Sequence, residues 1–346
     1  MMELLRLIQV LGVRRTVRLF RAHNQGWKKI ISGFYTTRAM QALINVGFFD
    51  EIISNTSVNP EAFAQSRNLD KDIVRALCQY LYCLRILERN HSDYVLSHKG
   101  RLLVEESRGW FEATYGYEEV FHFLEDMVQR KKIYGKDIYR RPECVAKGGG
   151  RAQSLVYFPL AIQMITSYGA EKVLDLGCAD GTFLEQLCKS DANVTGCGID
   201  ISEEAIADAK EKIHRAGLDN RIHLFAEDIS KIEKLPDMLK DIDIATLFLV
   251  LHEILYEGSE AVIELLRNFK RLFPNVPLII FEVVRPSLGQ MRKRPGMTVQ
   301  YMLHHDITHQ KLVTIQEWEG LFKQSGFKSI NTRYLGFVKS VIFTLK

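Results

Sequence analysis

The sequence is short of several things, and each shortage removes a class of protein. No apolar run approaches the roughly 18 to 20 residues that a membrane-spanning helix needs, so no such helix is expected. Six cysteines, Cys78, Cys83, Cys144, Cys178, Cys188 and Cys197, make no C-x-x-C pair and no framework spacing. Such thiols suit a reducing compartment, here read as the cytoplasm, rather than a disulfide scaffold. An excess of either charge is also missing: 46 Lys and Arg against 42 Asp and Glu leave +4, too little to imply a nucleic-acid partner. Internal repeats and low-complexity tracts are absent. What remains is 346 residues, 47% of them hydrophobic, enough for two domains with real cores.

The most informative stretch is Val173 to Leu184, VLDLGCADGTFL, followed by Val194 to Asp200, VTGCGID. An apolar run entering a glycine-bearing turn, then a second apolar run ending in an acid, predicts strand, tight turn, helix and strand. In a dinucleotide site the glycines and a bare helix N-terminus face a pyrophosphate. Here Asp175 stands two residues before Gly177, with Gly181 beyond, and its carboxylate would repel phosphate. A ligand with positive charge fits better, such as the sulfonium and amino group of S-adenosylmethionine (SAM). Asp200, with Ile201 beside it, is placed to accept hydrogen bonds from ribose hydroxyls, the role of an acid about 20 residues downstream in nucleotide folds. After a third apolar run, Asp228 is positioned for the adenine amino group and Ile229 for the ring face.

On these residues the chain resembles the class I SAM-dependent methyltransferases, whose first motif reads D-x-G-x-G-x-G. Ala179 replaces the middle glycine, a substitution that leaves room for the ligand and is expected to exclude a positive φ. The implied fold is α/β, a Rossmann-like, mostly parallel sheet with an antiparallel last hairpin, preceded by a mainly helical N-terminal domain.

Before the corner, residues 1–34 form a basic segment. Leu5, Ile8, Leu11, Val13, Val17 and Phe20 fall near helical spacing among Arg14, Arg15, Arg18 and Arg21. Arg6 interrupts any signal-peptide core. An organelle presequence or a membrane-surface helix competes with the reading taken here, a helix packed on a partner subunit or on its own domain. Residues 35–107 read as helices over Tyr35 to Ile53, Asn59 to Asn68 and Asp70 to Leu87, then a hairpin to Ser97, which together predict a winged helix. DNA binding is disfavoured, because the third helix opens Asp70-Lys71-Asp72, poor chemistry for phosphate. In the small-molecule methyltransferases that the chain resembles, this module serves dimerisation, so a homodimer is implied. Residues 108–150 read as a linking segment rich in aromatics, of which Tyr115 and Tyr117 are candidates to line a substrate pocket; Lys147 to Gly150 reads as a hinge. The catalytic domain is expected over 151–346, with a closing hairpin turning at Leu335-Gly336-Phe337.

Methyl transfer from a sulfonium is an in-line displacement, so the protein must align a nucleophile and manage a proton. The fourth predicted strand ends at Leu251-His252-Glu253. In the O-methyltransferases that the chain resembles, L-H-D-W stands here and the histidine is the general base, which makes His252 the catalytic candidate, with Glu253 beside it. Glu282, at the end of the fifth strand, either orients the imidazole or is a surface acid. A second cluster, Tyr301 to His309, carries His304, His305 and Asp306. Histidines facing one another across a pocket suit a divalent metal, iron or zinc. The α-keto acid C-methyltransferases, a branch of the same family, use two such histidines. Candidate metal ligands are His252, His304 and His305, with Glu253 or Asp306 as further donors. Arg285, Arg292, Lys293 and Arg294 read as a carboxylate attractor or a solvated basic loop. Three functions follow: O-methylation of a small molecule with His252 as base, metal-assisted C-methylation of a keto acid, or an inactive SAM-binding regulator.

Overall fold

The computed structural model describes residues 2–234, 239, 241–336 and 338–346. The chain divides into two units, one ending at Tyr115 and the other beginning at Gly116.

In the first unit, helix Met2–Asn24 is interrupted at Gly12, whose φ of 73° and ψ of 158° are not helical. Helix Trp27–Asn45 follows, and Gly47 at φ 79° separates it from helix Phe48–Asn55. The single helix expected over 35–53 is therefore two, because a left-handed residue ends the i to i−4 ladder. Helices Pro60–Ser66 and Lys71–Cys83 begin where side chains cap them. Asn59 accepts from the amides of Glu61 and Ala62, and Asp70 from those of Asp72 and Ile73. Strands β1 (Leu87–Asn90) and β2 (Asp93–Leu96) form the expected antiparallel hairpin. Met40, Leu43, Phe48, Phe49 and Leu81 are fully buried at the centre of this unit.

The second unit is organised by one sheet. Its strands are β3 (Lys172–Leu176), β4 (Thr195–Asp200), β5 (Ile222–Ala226), β6 (Ile244–Phe248), β7 (Leu278–Val283), β8 (Ile330–Leu335) and β9 (Ser340–Leu345). Their spatial order is β5-β4-β3-β6-β7-β9-β8, and β9 runs antiparallel to both of its neighbours while β3 to β7 pair in parallel. The closing hairpin is thus present; Phe337 in its turn lies outside the described residues. Side chains alternate between two cores because the strand period is two. Leu174, Leu176, Leu247 and Ile280 enter one core, and Val173, Ile244, Ile279 and Phe281 enter the other. Helices Ser259–Leu272 and Ile315–Gln324 supply the first; helices Pro142–Tyr168, Thr182–Ser190 and Glu203–Arg215 supply the second. Each Leu or Phe so buried contributes about 1.5–3 kcal/mol, which is how a sheet covered on both faces holds the loops at its edge in place.

The run Gly148-Gly149-Gly150 is not a hinge. It lies inside helix Pro142–Tyr168, which Pro142 opens at its first turn. Each glycine costs the helix roughly 1 kcal/mol relative to alanine, and packing outweighs that cost: Gly148 is buried, as are Tyr157, Phe158, Ala161 and Ile165 further along. Among the described residues no helix is long and apolar enough to cross a membrane.

Candidate active site

The strand order reverses between β3 and β6, since the chain runs outward through β4 and β5 and then returns to pair β6 with β3. Ligands in such sheets bind at the carboxyl ends of the strands beside that reversal. Two groups of predicted residues stand at those ends, the glycine corner and the histidine cluster.

The corner is held by its own backbone. The amides of Gly177 and Cys178 both donate to the Ile199 carbonyl, at 2.8 and 3.0 Å, and Gly181 donates to Cys178 at 2.9 Å. Ala179 donates to Asp200 Oδ2 at 2.9 Å, and Thr182 to Asp180 Oδ1 at 3.2 Å. Five amides that a phosphate would need are already engaged inside the chain, which argues against a dinucleotide and for a nucleoside. Gly177 is required by crowding as well as by its φ of 80°, for a Cβ there would lie 2.5 Å from Val250 Cγ2. Ala179 corrects the expectation drawn from its side chain: it has φ 45° despite its Cβ. The Asp200 bond to its amide is what compensates a conformation that costs an L-residue about 1–2 kcal/mol.

The acids of the corner differ in setting. Asp175 is 1% exposed and accepts from Thr246 Oγ1 at 2.7 Å on the neighbouring strand. Burial raises its carboxyl to about 7, with the charge of Asp200 adding to the effect and Thr246 opposing it. Asp200 accepts the amides of Ala179 and Ser202, so it builds the loop and keeps its remaining lone pairs for a ligand. Asp228 accepts from the Ser230 amide at 2.9 Å and stands 3.5 Å from Lys231. Ile229 does not offer a face to a ring: it packs into the sheet core at 9% exposure. Ile201, 74% exposed, is the apolar surface left beside Asp200.

The histidine cluster is held by side chains. His252 lies on the short helical turn Leu251–Ile254 rather than at a strand end, three residues beyond Leu249, whose φ is 58°. Its Nδ1 donates to Glu282 Oε2 at 3.0 Å, and its amide donates to Glu282 Oε1 at 3.2 Å. Glu282 is fully buried on β7, so it is the orienting partner and not a surface acid. Burial works to lower the His252 imidazolium, but Glu282 and Glu253 outweigh it and hold the ring up at about 10. His305 donates its Nδ1 proton to the Tyr301 carbonyl at 2.8 Å, since a carbonyl can only accept, and this leaves Nε2 with its lone pair. His304 has a buried Nε2 with no partner. Burial, with nearby positive charge, lowers His304 to about 3 and His305 to about 2, so both rings are neutral at physiological pH. The rings are neighbours: His252 and His305 centroids are 5.3 Å apart, His304 and His305 4.6 Å. Tyr301 packs on His305 at 4.1 Å, and Tyr117 stacks on His304 at 4.1 Å.

Two residues that the sequence did not single out complete the cluster. Arg140 makes a bidentate pair with Glu253 at 3.0 and 2.9 Å and donates to the Tyr117 hydroxyl at 3.1 Å. Gln310 donates to Glu253 at 2.6 Å. Against burial, His252 and Arg140 hold the Glu253 carboxyl far below the usual carboxylate range. The only sequence signal for Arg140 is a basic pair, Arg140-Arg141, before Pro142. The remaining residues singled out in the sequence have these settings. Asp306 turns away to pair with Arg285, so neither serves as metal ligand or free carboxylate attractor. Arg292, Lys293 and Arg294 are exposed, and Tyr115 lies in the first unit, on helix Arg108–Gly116. Among the described residues no group of three or more His, Cys, Asp or Glu is arranged as a ready-made metal site. The unpartnered Nε2 of His304 and the Nε2 of His305, whose ring a carbonyl orients, are nevertheless the neutral donors that a divalent metal takes.

A family model described as a methyltransferase domain matches residues 119–332. Among curated proteins the chain is similar to a 2-ketoarginine methyltransferase of Streptomyces arginensis, 27% identical over 316 residues that cover 88% of each chain. It is also similar to the methyltransferase ungE' of Aspergillus campestris (strain IBT 28561), 25% identical over 331 residues, 89% of this chain and 93% of that one. Among solved structures, the mitomycin 7-O-methyltransferase MmcR superposes with a TM-score of 0.66 at 16% identity, covering 95% of this chain and 99% of that one. PigF with SAH does so with a TM-score of 0.66 at 18% identity, covering 93% and 98%. At these identities the solved structures speak for the fold.

Proposed function

The chain belongs to the methyltransferase-domain family, as a SAM-dependent enzyme that methylates a small molecule, and from that premise we propose that its acceptor is a small 2-oxo acid methylated at the carbon beside the ketone. The observation that carries this reading is the cluster of three imidazoles, with a buried, unpartnered Nε2 on His304 and an oriented one on His305. A simple phenol-methylating base fits less well, because His252 between two carboxylates keeps its own proton at neutral pH. The similarity to a 2-ketoarginine methyltransferase over 88% of the chain supports the same acceptor class.

In the proposed reaction the carbon beside the ketone loses a proton to solvent, its electron pair forms a bond to the methyl carbon, and the S–CH3 bond breaks to leave a neutral thioether. A divalent metal, iron or zinc, held by His304, His305 and, with displacement of its Nε2 proton, His252, would supply the Lewis-acid charge that favours the enol. The chain's own residues do the rest. Asp200, Asp228 and Ile201 receive the ribose and adenine, while Asp175 and the Gly177–Gly181 loop, with Ala179 in it, face the amino acid end of SAM. Arg140 presents its guanidinium to the acceptor carboxylate, fixed by Glu253, which Gln310 holds in turn. Tyr117 and Tyr301 wall the imidazoles and exclude water. Glu282 holds His252 in one tautomer, Nδ1 protonated.

The helices and hairpin of the first unit act in this reading as a winged-helix dimerisation module. Its support is an exposed stripe at helical spacing, Trp27, Ile30, Ile31 and Phe34, which a second copy would cover. Six unpaired thiols support a cytoplasmic setting.

The deciding experiment incubates untagged enzyme, SAM and a panel of 2-oxo acids, 2-ketoarginine included, in deuterium oxide. A C-methylated product by NMR, with deuterium exchange at the same carbon and activity lost to a chelator, supports the reading. Methylation of a phenol panel that survives the chelator would replace it with O-methylation and His252 as base. Binding of SAM without turnover on either panel would make the chain a regulator.

A further inference from the structure

The methyl-donor corner is braced from outside the motif. Helix Glu203–Arg215, which follows β4, touches the Gly177–Gly181 loop at two places one turn apart. At Ala209 the approach is so close that a Cβ on Gly181 would lie 3.3 Å from the Ala209 Cβ. At Lys212, i+3 on the same face, the ammonium pairs with Asp180 and donates to Thr182 Oγ1 at 2.7 Å. Thr182 Oγ1 donates in turn to Asp180 Oδ1 at 2.7 Å, closing a three-membered ring of contacts. Against the burial that would raise it, Lys212 and Thr182 hold the Asp180 carboxyl below its usual range.

We infer that Lys212 is a positioning residue for SAM: it pins Asp180, and through it the loop that receives the donor. The inference rests on the reading of this corner as the SAM site. Asp180 stands between Ala179 at φ 45° and Gly181 at φ 70°. Two left-handed residues so close together leave ordinary backbone preference with little say over the path of the chain. The amide bonds to Ile199 and Asp200 fix the loop on its β4 side. The Lys212 bridge fixes its other end, where helix Thr182–Ser190 begins without a side-chain cap on Gly181. Half-exposed ion pairs add little to global stability, so the consequence of this one falls on where the loop sits.

The test is calorimetry of the full chain with SAM and, separately, with the neutral thioether product SAH. Lys212→Met is expected to weaken both by a similar factor, roughly three- to tenfold, the scale of one charge-assisted contact. KM for SAM should rise while kcat and the melting temperature stay near wild type, and Lys212→Arg should restore most of the affinity. Thr182→Val, which keeps the shape and deletes the bridging hydroxyl, should weaken both ligands in the same direction. Unchanged affinities in Lys212→Met and Thr182→Val would overturn the inference, as would a change confined to SAM, which marks a bulk charge effect on the sulfonium. If wild type binds neither ligand, the SAM reading of the corner fails first, and the role of Lys212 with it.

Discussion

The two halves of the site are built by opposite means. The glycine corner is a piece of contiguous backbone whose amides bond to a neighbouring strand end, to Asp200 and to Asp180. The histidine cluster has almost no contiguous backbone in common. It draws Tyr117, Arg140, His252, Glu282, His304, His305 and Gln310 from distant parts of the chain and joins them through side chains. In the proposed function the difference separates two tasks. Binding a donor shared by a whole family needs a fixed cradle, which backbone supplies. Selecting and activating one acceptor needs groups of tuned charge, which burial and neighbours supply.

If that division is right, the two halves can be broken independently. The largest effect is expected from His304→Ala combined with His305→Ala, where kcat should fall by about 10²–10⁴, the range of a lost proton-transfer or metal-holding group. Calorimetry should find SAM affinity within about twofold of wild type. A comparable loss of SAM affinity would mean that the halves are one unit. Arg140→Met comes next. It deletes the partner of Glu253, so KM for the acceptor should rise by about tenfold or more, with the SAM KM unmoved in the same steady-state assay.

Asp200→Asn attacks the other half. Two amides lose a charged acceptor, and the SAM dissociation constant should rise by about tenfold; the acceptor KM is the control. The smallest effect is a pH dependence at Asp175. Its folded carboxyl titrates at about 7 against an ordinary value of 3.8, so the folded chain retains a proton that the unfolded chain gives up. The stability that this proton contributes is complete below about pH 4 and is lost as pH climbs toward 7, with a slope of at most about 1.4 kcal/mol per pH unit. Urea denaturation between pH 5 and 8 should show the decline in wild type and its absence in Asp175→Asn. SAM affinity should move the other way and strengthen through pH 7, since a cation favours the ionised carboxyl.

The same division explains what was legible beforehand. Asp175, Gly177, Gly181, Asp200 and Asp228 fall at regular places along alternating strands and helices, and their spacing is carried by the local chain. The parallel sheet with its antiparallel end, and the capped helices at Asn59 and Asp70, were readable for the same reason. The histidines at 252, 304 and 305 were visible as residue types. Their tautomers and charges were not, because those depend on Glu282, on the Tyr301 carbonyl and on burial. Arg140 and Gln310 carried no pattern at all. Glycine misled in two directions: Gly47 divided a helix that apolar spacing made continuous, while Gly148 to Gly150 continued one that composition divided.

Fold class and the class of methyl donor were set locally, since both follow from the period of apolar residues and the placement of a few acids and glycines near one another in the chain. It took long-range packing to set Ala179 in a left-handed conformation, to make Ile229 core and leave Ile201 free, to give Asp306 to Arg285, and to clasp His252 with a buried glutamate. Each of these depends on a partner far off in sequence or on exclusion from water. Neither is encoded in any local run of residues, so both exist only once the sheet has closed its two cores.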